Sequence, residues 1–167
     1  MILFDASTLI LVAKMDILDS FLDGVESQVI IPTAVAKECC AVKRSLDALL
    51  IQKALDESRI RVVAAKDKKL VAKLRGDFGL GKGEAEAIVL ALAEKAAVLG
   101  MDDKNGINAC KLLGIAFTTA IGILIRMHEK GMLTVGEALG KLATLGKYGR
   151  YKPAILEDAR RKLEAHT

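Results

Sequence analysis

The chain has 167 residues, of which 52% are hydrophobic and 4% aromatic, and a formal net charge of +4. That length suits one domain with a single substantial core. With so few aromatics the core has to come from Ala, Val, Ile and Leu, and the absence of tryptophan argues against a platform for stacking bases. Cys39, Cys40 and Cys110 are odd in number and lack CxxC spacing, which argues against a disulfide framework or a zinc site and for reduced, buried thiols. The opening residues carry no secretory leader pattern, and no apolar run reaches membrane-spanning length. A cytoplasmic protein is the expectation.

In chain order, β-type runs are predicted at Ile2–Phe4, Gln28–Ile31, Arg59–Val63, Ala97–Gly100 and Ile115–Thr118. Between them fall helical patterns: Ser7–Lys14, Ile17–Leu22, a helix opened by Pro32-Thr33 and ending near Val42, and one capped by Ser45. A helix over Asp67–Arg75 is expected to break at Gly76, and Gly79 to Gly83 read as a flexible turn. Further helices are predicted at Glu84–Lys95, Lys104–Leu113, Ala120–Lys130, Val135–Leu145 and Ala154–Ala165. Strands alternating with helices argue for a parallel sheet covered on both faces, joined by right-handed crossovers. Residues 1–167 read as a single domain, with 147–167 a C-terminal docking segment reached through a hinge at Gly146–Pro153.

Acidic residues fall where such a sheet gathers them at one edge. Asp5 ends the first strand, with the hydroxyls of Ser7 and Thr8 following; Asp102 and Asp103 end the fourth. Ligands of open parallel sheets bind outside those strand ends, where strand order reverses. Each Asp is also a natural helix cap, and both readings stand for Asp5 and Asp103. Glu84 and Glu86 open a helix that is apolar on nearly every face after its first turn. A helix start favours acids, which accounts for Glu84, whereas a buried acid needs a partner. The two are two positions apart and cannot project alike, so at most one binds metal directly. Glu38 follows the second strand by one to two helical turns and gains weight only from the set. Clustered carboxylates repel, and hard oxygen ligands of this kind suit Mg²⁺ or Mn²⁺. The expectation is a metal-dependent enzyme of phosphate chemistry.

Other signals are weaker. Gly81-Lys82-Gly83 lacks the Ser/Thr of a phosphate-binding loop and follows no strand. His128 and His166 have no ligand spacing. Residues 141–167 carry the whole net charge, and Arg160, Arg161 and Lys162 oppose the apolar Ile155, Leu156, Ala159 and Leu163. Such a face either tracks a polyanion or keeps the chain in solution. Apolar surface from Ile121 to Leu133 exceeds what one small sheet needs, which suggests a homodimer.

Taken in order, Phe4-Asp5-Ala6-Ser7-Thr8-Leu9-Ile10, Ile31-Pro32-Thr33-Ala34-Val35-Ala36-Lys37-Glu38, Gly83-Glu84-Ala85-Glu86-Ala87-Ile88 and Met101-Asp102-Asp103 resemble the PIN-domain family, especially its small prokaryotic members. The stretch Leu113 to Thr119 resembles the last strand of that fold, and the likeness covers roughly residues 1 to 130. The resemblance implies a three-layer α/β/α fold with a five-stranded parallel sheet in the order 3-2-1-4-5. It implies three or four acids holding Mg²⁺ or Mn²⁺, and ribonuclease activity, often as the toxin of a toxin–antitoxin pair with an antitoxin protein as partner. Asp5, Glu38, Glu86 and Asp102 match the four acids in turn, Ser7 matches a small supporting residue, and Glu84 and Asp103 are the competing ligands. The alternative is a PIN-type module that binds RNA or protein without turnover.

Overall fold

The computed structural model describes residues 1–41 and 44–166, so the predicted helix end at Val42 lies outside the described residues. Five parallel strands, β1 (Ile2–Phe4), β2 (Val29–Pro32), β3 (Ile60–Val63), β4 (Val98–Gly100) and β5 (Phe117–Thr118), form one sheet in the order 3-2-1-4-5. The helices are α1 (Ala6–Lys14), α2 (Leu18–Gly24), α3 (Thr33–Cys39), α4 (Leu46–Asp56), α5 (Lys68–Phe78), α6 (Lys82–Glu94), α7 (Lys104–Leu113), α8 (Ala120–Glu129), α9 (Val135–Tyr148) and α10 (Pro153–Ala165). This is a PIN-like α/β/α arrangement. None of the described helices is long and apolar enough to cross a membrane.

The central strands are apolar throughout because both faces of the sheet are covered. Side chains alternate between two cores. Phe4, Val29 and Ile31 enter one with Leu9, Val12, Val35, Leu124, Leu142 and Leu163. Leu3, Ile30 and Leu99 enter the other with Val71, Leu74, Ile88, Leu90 and Cys110. The register sets Ile2 opposite both Val29 and Val98, and Phe4 opposite Gly100. A side chain at Gly100 would meet the Phe4 ring at 2.6 Å and Thr8 Cγ2 at 3.1 Å, so the bare backbone there lets β1 and β4 finish side by side.

Several helices differ from the sequence expectation, and α2 runs on to Gly24 while α3 ends at Cys39. α5 runs through Gly76, where nothing crowds the backbone, and stops only at Gly79, whose left-handed φ of +66° ends it. α6 begins at Lys82, earlier than expected, because the Gly81 N–H is bonded by the Glu84 carboxylate and the first turn closes there. α9 extends through Gly146 to Tyr148, which shortens the expected hinge to residues 149–152. The apolar residues of α8 that suggested a dimer (Ile121, Ile123, Leu124 and Met127) are consumed by the chain's own core, beneath α9 and α10. α10 docks by burying Ala159 and Leu163. Cys39 and Cys110 are buried and Cys40 half-buried, all three free thiols; burial pushes Cys110 up to about 11.

Candidate acidic site at the carboxyl edge of the sheet

β1 and β4 are neighbours, so Asp5 and Asp102 leave the sheet side by side. The Asp5 N–H donates to the Gly100 carbonyl at 3.0 Å, holding the end of β1 against β4. Asp5 is the N-cap of α1: its Oδ1 accepts the Thr8 N–H at 2.8 Å and its Oδ2 accepts the Ser7 hydroxyl at 2.8 Å. The Thr8 hydroxyl donates in turn to Asp102 Oδ2 at 2.8 Å. One residue therefore bridges the two carboxylates. Asp102 Oδ2 also accepts the Ala120 N–H at 2.9 Å, and Oδ1 accepts the Tyr151 hydroxyl.

The remaining acids lie around this pair. Glu86 is 2% exposed; its Oε2 accepts the Ala34 N–H at 3.1 Å, and Lys68 Nζ lies 3.7 Å from Oε1. Glu84 reaches back to accept the Gly81 N–H at 2.8 Å, and Asp103 caps α7 through the Gly106 N–H at 2.9 Å. These two are the alternatives that the sequence left open, and both are occupied as caps. Glu38 is exposed on α3, and its carboxylate takes no hydrogen bond or ion pair among the described residues. It lies against the first turn of α6, where a side chain at Gly83 would meet its Oε2 at 3.1 Å.

A common device accounts for so many acids at one edge. Asp5, Glu86, Glu84, Asp103 and Asp102 each accept a backbone N–H at or beside the start of a different helix: α1, α3, α6, α7 and α8 respectively. Unpaired N–H groups and the positive end of the helix dipole favour a carboxylate at each position. The protection is incomplete at Asp5. Burial, with a smaller push from the Asp102 charge, raises its carboxyl from 3.8 to about 7 against the donors of Thr8 and Ser7. Burial also raises Glu84, with Asp103 and Glu38 adding to it.

The structure brings Asp5 and Asp102 together directly. It does not draw the acids into a cage: among the described residues no group of three or more His, Cys, Asp or Glu side chains is arranged to hold a metal ion. Like charges keep apart, and each carboxylate except Glu38 takes its own protein donor. The donor set nevertheless fits a hard cation. Asp5 is a buried acid beside a second acid and is stabilised incompletely by hydroxyl and amide donors. Mg²⁺ is commonly held by only one or two carboxylates, with water and phosphate oxygens filling its other positions. Asp5 and Asp102 are a carboxylate pair of that chemistry, joined through Thr8.

Three contributors were not singled out from the sequence. Thr8 was noted only as a hydroxyl after Asp5, and its spacing of one helical turn was the available signal. Lys68 opens α5, as Lys82 opens α6 and Lys104 opens α7, so exposed lysines rim the same region. Tyr151 gave no signal, since 49 positions separate it from Asp102. Burial, then the charge and bond of Asp102, push its hydroxyl well above the usual range, so it remains a protonated donor. His128 lies apart, with Nδ1 bonded to the Leu133 carbonyl at 2.8 Å.

The family model described as a PIN domain (DUF3368) matches residues 1–165. No curated protein matches the chain.

Proposed function

The chain belongs to the PIN-domain family, a nuclease-type fold whose nucleases generally use divalent metals, and we propose that it is a metal-dependent endoribonuclease. The observation that carries the proposal is the Asp5–Thr8–Asp102 bridge: two carboxylates held side by side at the switch point of the sheet, one of them buried and raised to about 7. In this reading Asp5 and Asp102 hold Mg²⁺ or Mn²⁺, and Glu86 adds charge from beneath the start of α3. A bound divalent cation would supply charge to the phosphodiester oxygens and lower the pKa of the water it holds. Ser7 and Thr8 orient the two carboxylates. Glu38, unpaired among the described residues, is the acid left free to accept the water's proton.

The substrate reading rests on charge. Lys68, Lys82 and Lys104 stand at the starts of three helices around the acids, suited to the phosphates that flank a scissile bond. The C-terminal helix is less suited to that task. Arg160 pairs with Glu157 and Glu164, Arg161 with Glu157, and Lys162 with Asp158, so the basic face of α10 is neutralised by its own acids. That favours the solubility reading of the tail. A toxin role with an antitoxin partner belongs to the same proposal; a homodimer would have to use a surface other than the apolar face of α8, which the chain's own core covers, and a monomer in sedimentation at micromolar concentration would remove it.

The second reading, a module that binds RNA without turnover, is favoured by one observation: no group of three acids is arranged to hold a metal among the described residues. Incubating purified protein with unstructured RNA, with Mn²⁺ or with EDTA, separates the two. Cleavage that needs Mn²⁺ and is lost in Asp5→Asn supports the enzyme. RNA binding without cleavage under all metal conditions supports the module.

A further inference from the structure

We propose that Tyr151, in the link between α9 and α10, is a positioning residue for Asp102, so that the C-terminal helical pair completes the acidic site. This rests on the metal reading above. Asp102 is held by donors from three separate parts of the chain: the Thr8 hydroxyl of α1 and the Ala120 N–H of α8 on Oδ2, and the Tyr151 hydroxyl on Oδ1. An ionised carboxylate offers about four lone-pair sites. Three are used, and the one left lies on Oδ1, the oxygen that only Tyr151 holds. The Tyr151 bond thus fixes which way the remaining lone pair points. Hydrogen-bonded partners of ligating carboxylates do this work in metal sites generally.

The link is built to deliver that hydroxyl. α9 ends at Tyr148, and the Gly149 N–H bonds back to the Leu145 carbonyl at 2.7 Å. A side chain at Gly149 would overlap the Tyr151 ring and sit 2.9 Å from that carbonyl, so glycine is what lets the ring fold back over the helix end. The ring is partly buried and packs against the core. Lys152 stands at the N-cap position of α10 without a side-chain cap bond, and Pro153 at its first turn sets the exit direction of the chain. Leu145 on one side and Ala159 and Leu163 on the other anchor the link through buried contacts. The link between α9 and α10 thereby reaches back to an acid that follows β4.

The test is Mn²⁺ binding, followed by the loss of the free-ion EPR signal on titration into wild type, Tyr151→Phe, Gly149→Ala and Asp5→Asn. Tyr151→Phe keeps the ring and removes only the hydroxyl. It should weaken Mn²⁺ binding by roughly tenfold or more, the size seen when such partners are removed, while metal-free protein still melts in one cooperative transition. Gly149→Ala, which displaces the ring from a distance, should weaken binding comparably, and the double variant should be no weaker than the worse single one. Tyr151→Phe binding Mn²⁺ as tightly as wild type, or more tightly, overturns the assignment while Asp5→Asn still loses binding. Wild type failing to bind Mn²⁺, or Asp5→Asn binding it unchanged, overturns the metal reading and this inference with it.

Discussion

Replacing Asp5 by Asn should stabilise the metal-free protein, and the gain should depend on pH. The Asp5 carboxyl stands at about 7 in the folded chain against 3.8 as the ordinary value, with burial the largest cause. Its folded pKa is raised, so the native state holds the proton more tightly than the unfolded chain does. Stability from this site is then fully present below about pH 4 and is lost as pH rises through about 7. The shift of roughly three units corresponds to at most about 4 kcal/mol of destabilisation at pH 8. Asn carries no charge and therefore escapes that penalty. It also keeps an oxygen for the Thr8 N–H, so the cap on α1 survives. Its amide cannot accept the Ser7 hydroxyl, but Ser7 is exposed and can turn to water. A net gain of about 1–3 kcal/mol at pH 8, vanishing near pH 4, is the expectation once the lost bond is set against the relieved charge. Urea unfolding in EDTA at pH 4.5, 6 and 8 measures it. An Asn variant less stable at pH 8, or a difference that stays flat across that range, would refute the reasoning and leave Asp5 as an ordinary cap.

Glu86→Gln should weaken Mn²⁺ binding more than Glu84→Gln, because Glu84 is committed to the Gly81 cap while Glu86 is a buried charge at the start of α3; the reverse ranking in a Mn²⁺ titration would contradict the capping assignment. Glu84→Ala should cost about 1 kcal/mol in thermal unfolding by leaving the Gly81 N–H at the start of α6 without its carboxylate. Changing Lys68, Lys82 and Lys104 together to Gln should weaken binding to all RNAs and flatten the dependence of log affinity on log salt by about 2, whereas changing Arg160, Arg161 and Lys162 to Gln should leave RNA affinity unaltered. Filter binding at two salt concentrations reads both.

Much of the fold was legible because its signals are local. Short apolar runs ending in Asp, separated by capped amphipathic helices, specify a parallel sheet and the edge where its ligands gather. The strands came out displaced by a residue or two, as with Gln28–Ile31 against Val29–Pro32, since pairing to a neighbour decides the last residue. Gly76 and Gly146 misled as helix breakers, because packing of the flanking residues holds α5 and α9 together across them. At the site, the position of Asp5 and Asp102 could be read from strand ends alone, and the buried Glu86 from the apolar helix around it. What could not be read was the pairing across distance. Thr8 joins two acids 97 positions apart, and Tyr151 reaches Asp102 from a tail that carries no motif. Nor does sequence order reveal that Glu86 and Asp102 accept N–H groups at the starts of helices remote from them in sequence, α3 and α8.

The most direct test of the central claim is the chemistry of the ends that cleavage leaves. Water attacking phosphorus, with the bond to the 3′ oxygen breaking and that oxygen taking a proton, leaves a 3′-hydroxyl on one fragment and a 5′-phosphate on the other. End-labelled RNA incubated with the protein and Mn²⁺ should give those ends, and the products should disappear with EDTA and with Asp5→Asn. Fragments that end in a 2′,3′-cyclic phosphate, or cleavage that persists in EDTA, would contradict a metal-dependent hydrolysis at the Asp5–Asp102 pair.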